Sequence, residues 1–94
     1  MTTNVKILTL WRLGMNKDEI LLKIQDVFRD IFDDDSLIIS AETTANDIDG
    51  WDSLEHINII SAIEDELDID FEMGEITEFK NVGDMIESVY MKQN

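Results

Sequence analysis

Residues 49–68 read Asp49-Gly50-Trp51-Asp52-Ser53-Leu54-Glu55-His56-Ile57-Asn58-Ile59-Ile60-Ser61-Ala62-Ile63-Glu64-Asp65-Glu66-Leu67-Asp68. Asp49-Gly50 is a turn signal, and the run after it predicts a helix beginning at Ser53. Leu54, Ile57, Ile60, Ala62, Ile63 and Leu67 are expected to supply its inward face. Glu55, Glu64, Asp65, Glu66 and Asp68 are expected to stay in water. Here and throughout the chain, no stretch alternates convincingly with a period of two, so the fold reads as all-α.

On the N-terminal side, Asn16 has the character of an N-cap, and Glu19 three residues on is the return partner of a capping box. Asp18 adds negative charge at the positive end of the helix dipole. Ile20, Leu21, Ile24, Val27, Phe28, Ile31 and Phe32 follow at spacings of three and four, one apolar stripe. Asp33-Asp34-Asp35 ends that helix, because anions are unfavourable at a helix C-terminus. The long loop over 33–52 is expected to be packed, pinned by Leu37, Ile38, Ile39 and Ile48, and packed loops of this length tend to carry function.

On the C-terminal side, Ile69-Asp70-Phe71 reads as a hinge. Residues 72–77 allow only a short helix, weakened by Gly74. Asn81 caps a last helix with Val82, Met85, Ile86, Val89 and Tyr90 on its buried side. The architecture predicted is a four-helix bundle, three longer helices and one short helix, with a long loop after the first. Residues 16–94 form the domain. Residues 1–15 form an N-terminal extension, too short and too interrupted by Lys6 and Arg12 for a membrane span or a signal-peptide core, and expected to be poorly ordered or loosely docked.

Composition narrows the function. The 94 residues are 44% hydrophobic and 31% charged, enough apolar material for one small core. Twenty-two acids against seven bases give a net charge of −15. The charge is uneven: residues 1–29 sum to +2 and residues 30–94, with only Lys80 and Lys92 as cations, to −17. Such acidity argues against nucleic acid and anionic membrane as partners and for proteins with basic patches. With no cysteine and one histidine, there is no disulfide framework, thiolate site or histidine-rich metal centre, and no metal is expected. Nothing indicates an obligate oligomer, so a monomer is expected, and the lack of an export signal points to the cytoplasm.

The segment Gly50-Trp51-Asp52-Ser53-Leu54 resembles the phosphopantetheine attachment site of the acyl carrier protein family, which carries Asp-Ser-Leu at the start of its second helix. The tripeptide alone is a weak signal. After a glycine turn, at a helix start, in an acidic four-helix domain of this size, it is a strong one. The likeness runs from about Asn16 to Tyr90 and includes the helix order, the long first loop, the acidic second helix and the short third helix. It implies a carrier and not an enzyme: a phosphopantetheinyl transferase would supply coenzyme A and Mg²⁺, and the Ser53 oxygen would attack the β-phosphate. The 4'-phosphopantetheine arm would then hold acyl or aminoacyl groups as thioesters for fatty-acid, polyketide or other specialised biosynthesis. The resemblance assigns Ser53, Asp52 and Leu54 to the arm site, Asp52 presenting Ser53 to the transferase. It assigns Glu55, Glu64, Asp65 and Glu66 to the docking of acyl-loading and acyl-using enzymes. The missing cysteine is then intelligible, since the reactive sulfur arrives with the arm.

The sequence departs from the usual fatty-acid carriers at Trp51, His56, Asn58 and Ser61. Ser61 stands where an apolar residue often lines the acyl pocket. Ile57, Ile60, Ile63, Phe71, Ile76 and Phe79 are available to line such a cleft and equally available as core. Trp51 and His56 read more readily as local packing or a solvated turn than as chemistry.

Other readings stay open beside this one. Ser53 is also explained as an ordinary N-cap and Asp52 as an acid that satisfies the dipole. The acidic face is also explained as a solvated one, and the chain as an acidic interaction module without an arm. A serine hydrolase built on Ser53 and His56 lacks the Gly-x-Ser-x-Gly elbow and any evident oxyanion hole. A calcium loop at Asp47-x-Asp49-Gly50 fails on spacing, with Trp51 and Asn58 where acids are required.

Overall fold

The computed structural model describes residues 15–93; residues 1–14, most of the N-terminal extension, and Asn94 lie outside them. Among the described residues four helices follow one another: α1 (Lys17–Ile31), α2 (Ser53–Leu67), α3 (Met73–Glu78) and α4 (Val82–Lys92), with a 3₁₀ turn at Ala45–Asp47 in the α1–α2 loop. No strand occurs among the described residues.

The helix α1 starts as its sequence directs. The Asn16 side chain accepts from the Glu19 N–H, and Glu19 accepts from the Asn16 N–H, each at 2.9 Å. Ile20, Ile24, Val27 and Phe28 are buried, and α1 packs on both α2 and α4. Asp33, just past the end, takes the left-handed conformation at φ +51°, which an aspartate tolerates better than most side chains. Met15, placed with the extension by its sequence position, is instead a core residue at 2% exposure. Its carbonyl accepts from the Gln93 side chain, so the two ends of the described chain are joined here.

The α1–α2 loop is packed, by fewer apolar anchors than expected. Ile39 is buried and Leu37 and Ile48 are partly so, but Ile38 points to solvent at 78% exposure. Hydrogen bonds complete the attachment. The Ile39 N–H donates to buried Gln25 Oε1 at 3.0 Å, and Arg29 Nε donates to the Leu37 carbonyl at 2.7 Å. At the far side, the carbonyls of Thr43 and Ala41 accept the first N–H groups of α4, from Val82 and Gly83, at 2.9 and 2.8 Å. The loop thus satisfies donors that a helix start leaves free.

The inward face of α2 differs from the expected one at its start. Ile59, Ile60, Ile63 and Leu67 are buried, Ala62 partly so, whereas Leu54 and Ile57 are exposed. The chain leaves α2 through Asp68 in the left-handed conformation, φ +55°. Glu64, expected to be free in water, is half-buried and accepts the Phe71 N–H at 2.8 Å, holding that exit turn closed. In α4, Val82, Met85, Ile86 and Val89 are buried, and Tyr90 is not: it lies on the surface beneath the Lys17 ammonium.

Candidate functional site

Gly50 ends the loop at φ +91°, a conformation costly for any residue with a Cβ, and turns the chain into Trp51. Asp52, extended, is the N-cap of α2, its Oδ1 accepting from the Glu55 N–H at 2.9 Å. The cap is therefore Asp52 and not Ser53. Ser53 is the first helical residue, exposed, and its hydroxyl has no hydrogen bond among the described residues. The N–H groups of Ser53 and Leu54 also lack a protein acceptor there. A nucleophilic oxygen and two outward donors at the positive end of a helix suit a phosphate ester.

Trp51 fixes this end of α2 from below. Its indole is buried and meets the Phe28 ring edge-on, centroids 5.0 Å apart. Its Nε1–H donates to His56 Nδ1 at 3.2 Å, and His56 Nε2 lies 3.3 Å from the Ile76 carbonyl. With both contacts made, the imidazole carries its proton on Nε2 and donates it to α3. His56 is thus a strut between helices. It faces the indole and a carbonyl, not the Ser53 hydroxyl, and no Ser–His pair exists for hydrolysis.

A cleft of about 590 Å³ opens between α2 and α3. Asp52 and Ser53 stand at it, Trp51, Ile57, Ile76 and Phe79 give it apolar walls, and Lys80 and Thr77 lie along it. Of the six apolar residues available to line such a cleft, Ile57, Ile76 and Phe79 do, whereas Ile60, Ile63 and Phe71 belong to the core. Leu54 turns away from the cleft into solvent at 72% exposure. Ser61 is also exposed. Lys80 carried no signal in the sequence except its rarity as a cation after residue 30.

The chain from residue 22 to residue 89 matches the family model described as the phosphopantetheine attachment site. An acyl carrier protein of an Exiguobacterium species is 31% identical over 78 residues, 83% of this chain and 99% of that one. The solution structure of holo acyl carrier protein from Geobacter metallireducens superposes with a TM-score of 0.71 at 47% identity, covering 77% of this chain and 83% of its own.

This chain belongs to the acyl carrier protein family. It is accordingly a carrier and not an enzyme, and its cofactor is covalent 4'-phosphopantetheine, which supplies a distal thiol for acyl groups. The residues present fit that group. The arm's phosphodiester needs an accessible hydroxyl and compensating donors, which the start of α2 offers, and the cleft beside it would give an arm held there a surface to lie on. In the carrier, the acids assigned to docking do not form one uniform set. Asp65 and Glu66 are exposed, Glu55 is half-buried and accepts from the Asn58 amide at 2.8 Å, and Glu64 is committed to Phe71. No described helix is long and apolar enough to cross a membrane.

Proposed function

We propose that Ser53 is the residue that carries the arm, and that this protein shuttles acyl or aminoacyl groups between enzymes of fatty-acid, polyketide or other specialised biosynthesis. One observation carries the assignment: Ser53 is the first residue of α2, exposed, with its hydroxyl unengaged because Asp52 has taken the capping role. A serine spent on its own cap would have to break that bond before reacting. In the attachment reaction the Ser53 oxygen, its proton passing to the transferase, forms a bond to the β-phosphorus of coenzyme A as the phosphoanhydride bond breaks and adenosine 3',5'-bisphosphate leaves. Asp52 holds the backbone that presents the hydroxyl.

The partners are a phosphopantetheinyl transferase and acyl-loading and acyl-using enzymes with basic patches. Asp65, Glu66 and Glu55 form the charged part of that docking surface, and exposed Leu54 and Ile57 its apolar part. Glu64 drops from the set, because its carboxylate is needed at the α2 exit. A cytoplasmic monomer suits such brief, repeated encounters, which electrostatic steering accelerates without tight binding.

The test is intact mass after incubation with coenzyme A, Mg²⁺ and a broad-specificity transferase. Wild type gains one arm and Ser53→Ala gains none. Failure of wild type with two unrelated transferases would favour an acidic interaction module without an arm.

A further inference from the structure

Among the cations of residues 30–94, Lys92 is engaged: its ammonium lies 2.7 Å from Glu75 Oε1 and over the Phe71 ring. Lys80, the other one, is exposed and forms no ion pair among the described residues. It lines the same cleft as Ser53. Its backbone is held where its side chain departs, the Lys80 N–H donating to Asp84 Oδ2 at 2.8 Å. Glu78 and Asp84 border a second, shallow depression that Lys80 shares with the cleft, and neither takes its ammonium in an ion pair. Ser53, by contrast, sits between Asp52 and Glu55. A phosphodiester esterified there puts a further negative charge into an already anionic corner of a chain of net charge −15.

From these placements we infer that Lys80 pairs with the phosphodiester that joins the arm to Ser53 and so lays the root of the arm along the cleft between α2 and α3. The inference rests on the attachment at Ser53. The helix start offers two N–H donors but no countercharge beyond its dipole, and an ammonium on the facing wall supplies one. The pair is solvent-exposed, so it biases where the arm lies without locking it, and salt screens it. A partner enzyme's basic patch competes for the same phosphate and frees the arm on docking.

Phosphorus NMR of the loaded protein reads this directly. Wild type, Lys80→Arg and Lys80→Gln are treated with coenzyme A and transferase, and intact mass is read first. The phosphodiester resonances of wild type and Lys80→Arg are expected to move between low and molar salt. That of Lys80→Gln is expected to stand, already at low salt, where the wild-type resonance goes at high salt. Complete mass gain with three coincident resonances at low salt overturns the pairing and leaves the Ser53 assignment standing. No mass gain on any of the three overturns the attachment reading, and the pairing falls with it.

Discussion

The indole N–H of Trp51 donates to Nδ1 of His56 at 3.2 Å, and through that imidazole the start of α2 is tied to the Ile76 carbonyl of α3. α3 is six residues long and has no fully buried residue of its own. A helix that short is not stable by itself and depends on what holds it. His56 is one such hold, and it sits where the α2–α3 cleft begins. His56→Ala should therefore cost about 1–2 kcal/mol by leaving the indole N–H and a carbonyl short of partners. The loss should appear as faster amide exchange in α3 before the rest of the domain. Trp51→Phe removes the donor together with part of a buried ring, so it should cost more than the hydrogen bond alone. Uniform acceleration of exchange across α1, α2 and α4 in His56→Ala would contradict a local strut.

Asp52 caps α2 through its bond to the Glu55 N–H, and under the proposed attachment at Ser53 it would also present that hydroxyl; the two duties can be separated. Asp52→Asn retains an N-cap oxygen, so stability should change by only a few tenths of a kcal/mol, whereas Asp52→Ala should lose about 1 kcal/mol. The rate of arm attachment should follow the presence of the cap if Asp52 acts by holding the backbone under Ser53. Denaturation midpoints and a timed mass assay on the two variants check this. A rate that collapses equally in both would assign the work to the carboxylate charge.

The helical bundle and the turn into α2 were legible because their signals are local. Asn16 with Glu19 and Asn81 with Asp84 are caps within one turn, and the turn at Gly50 is set by its own backbone. The inward face of α2 was harder. Apolar residues at 54, 57, 59, 60, 62, 63 and 67 surround more than one face, and only packing against α1 selects Ile59 over Leu54 and Ile57. Glu64 looked like every other acid of its helix, since its partner, the Phe71 N–H, comes within reach only through the left-handed turn at Asp68. Lys80 had no local signal at all. Its place beside Ser53 arises from the fold bringing the α3–α4 connection to the edge of that cleft.

The charge distribution makes opposite demands on salt. Residues 30–94 repel one another at a net charge of −17, so moderate salt should raise the melting temperature of the free protein. The same salt should slow association with a basic partner, since steering is screened. Glu66→Lys and Asp65→Lys should reduce the association rate and its salt dependence while leaving the fold intact. Glu64→Gln should behave differently, lowering stability by about 1 kcal/mol through a weaker bond to Phe71 and changing association little. Stopped-flow binding across a salt series, set beside thermal melts, separates these outcomes. A melting temperature that falls with salt would contradict the repulsion argument.

Glu75 sets the acid limit of the α3–α4 contact. Its carboxylate accepts the Glu72 N–H at 2.8 Å, receives the Lys92 ammonium, and accepts the Ser88 hydroxyl at 2.6 Å. Together these hold its pKa down from an ordinary 4.5 to about 2, the backbone bond to Glu72 contributing most. A carboxyl more acidic in the folded chain than in the unfolded one stabilises the fold fully above about pH 4.5, and that contribution drains away as pH falls towards 2. The group is partly exposed, so water discounts the effect, but its direction is fixed. Glu75→Gln should lower stability at neutral pH and flatten the acid limb between those two values. Urea titrations at a series of pH values read both. If the variant and wild type lose stability in parallel over that window, the bonds to Glu72, Lys92 and Ser88 do not favour the ionised carboxylate in the way their geometry requires.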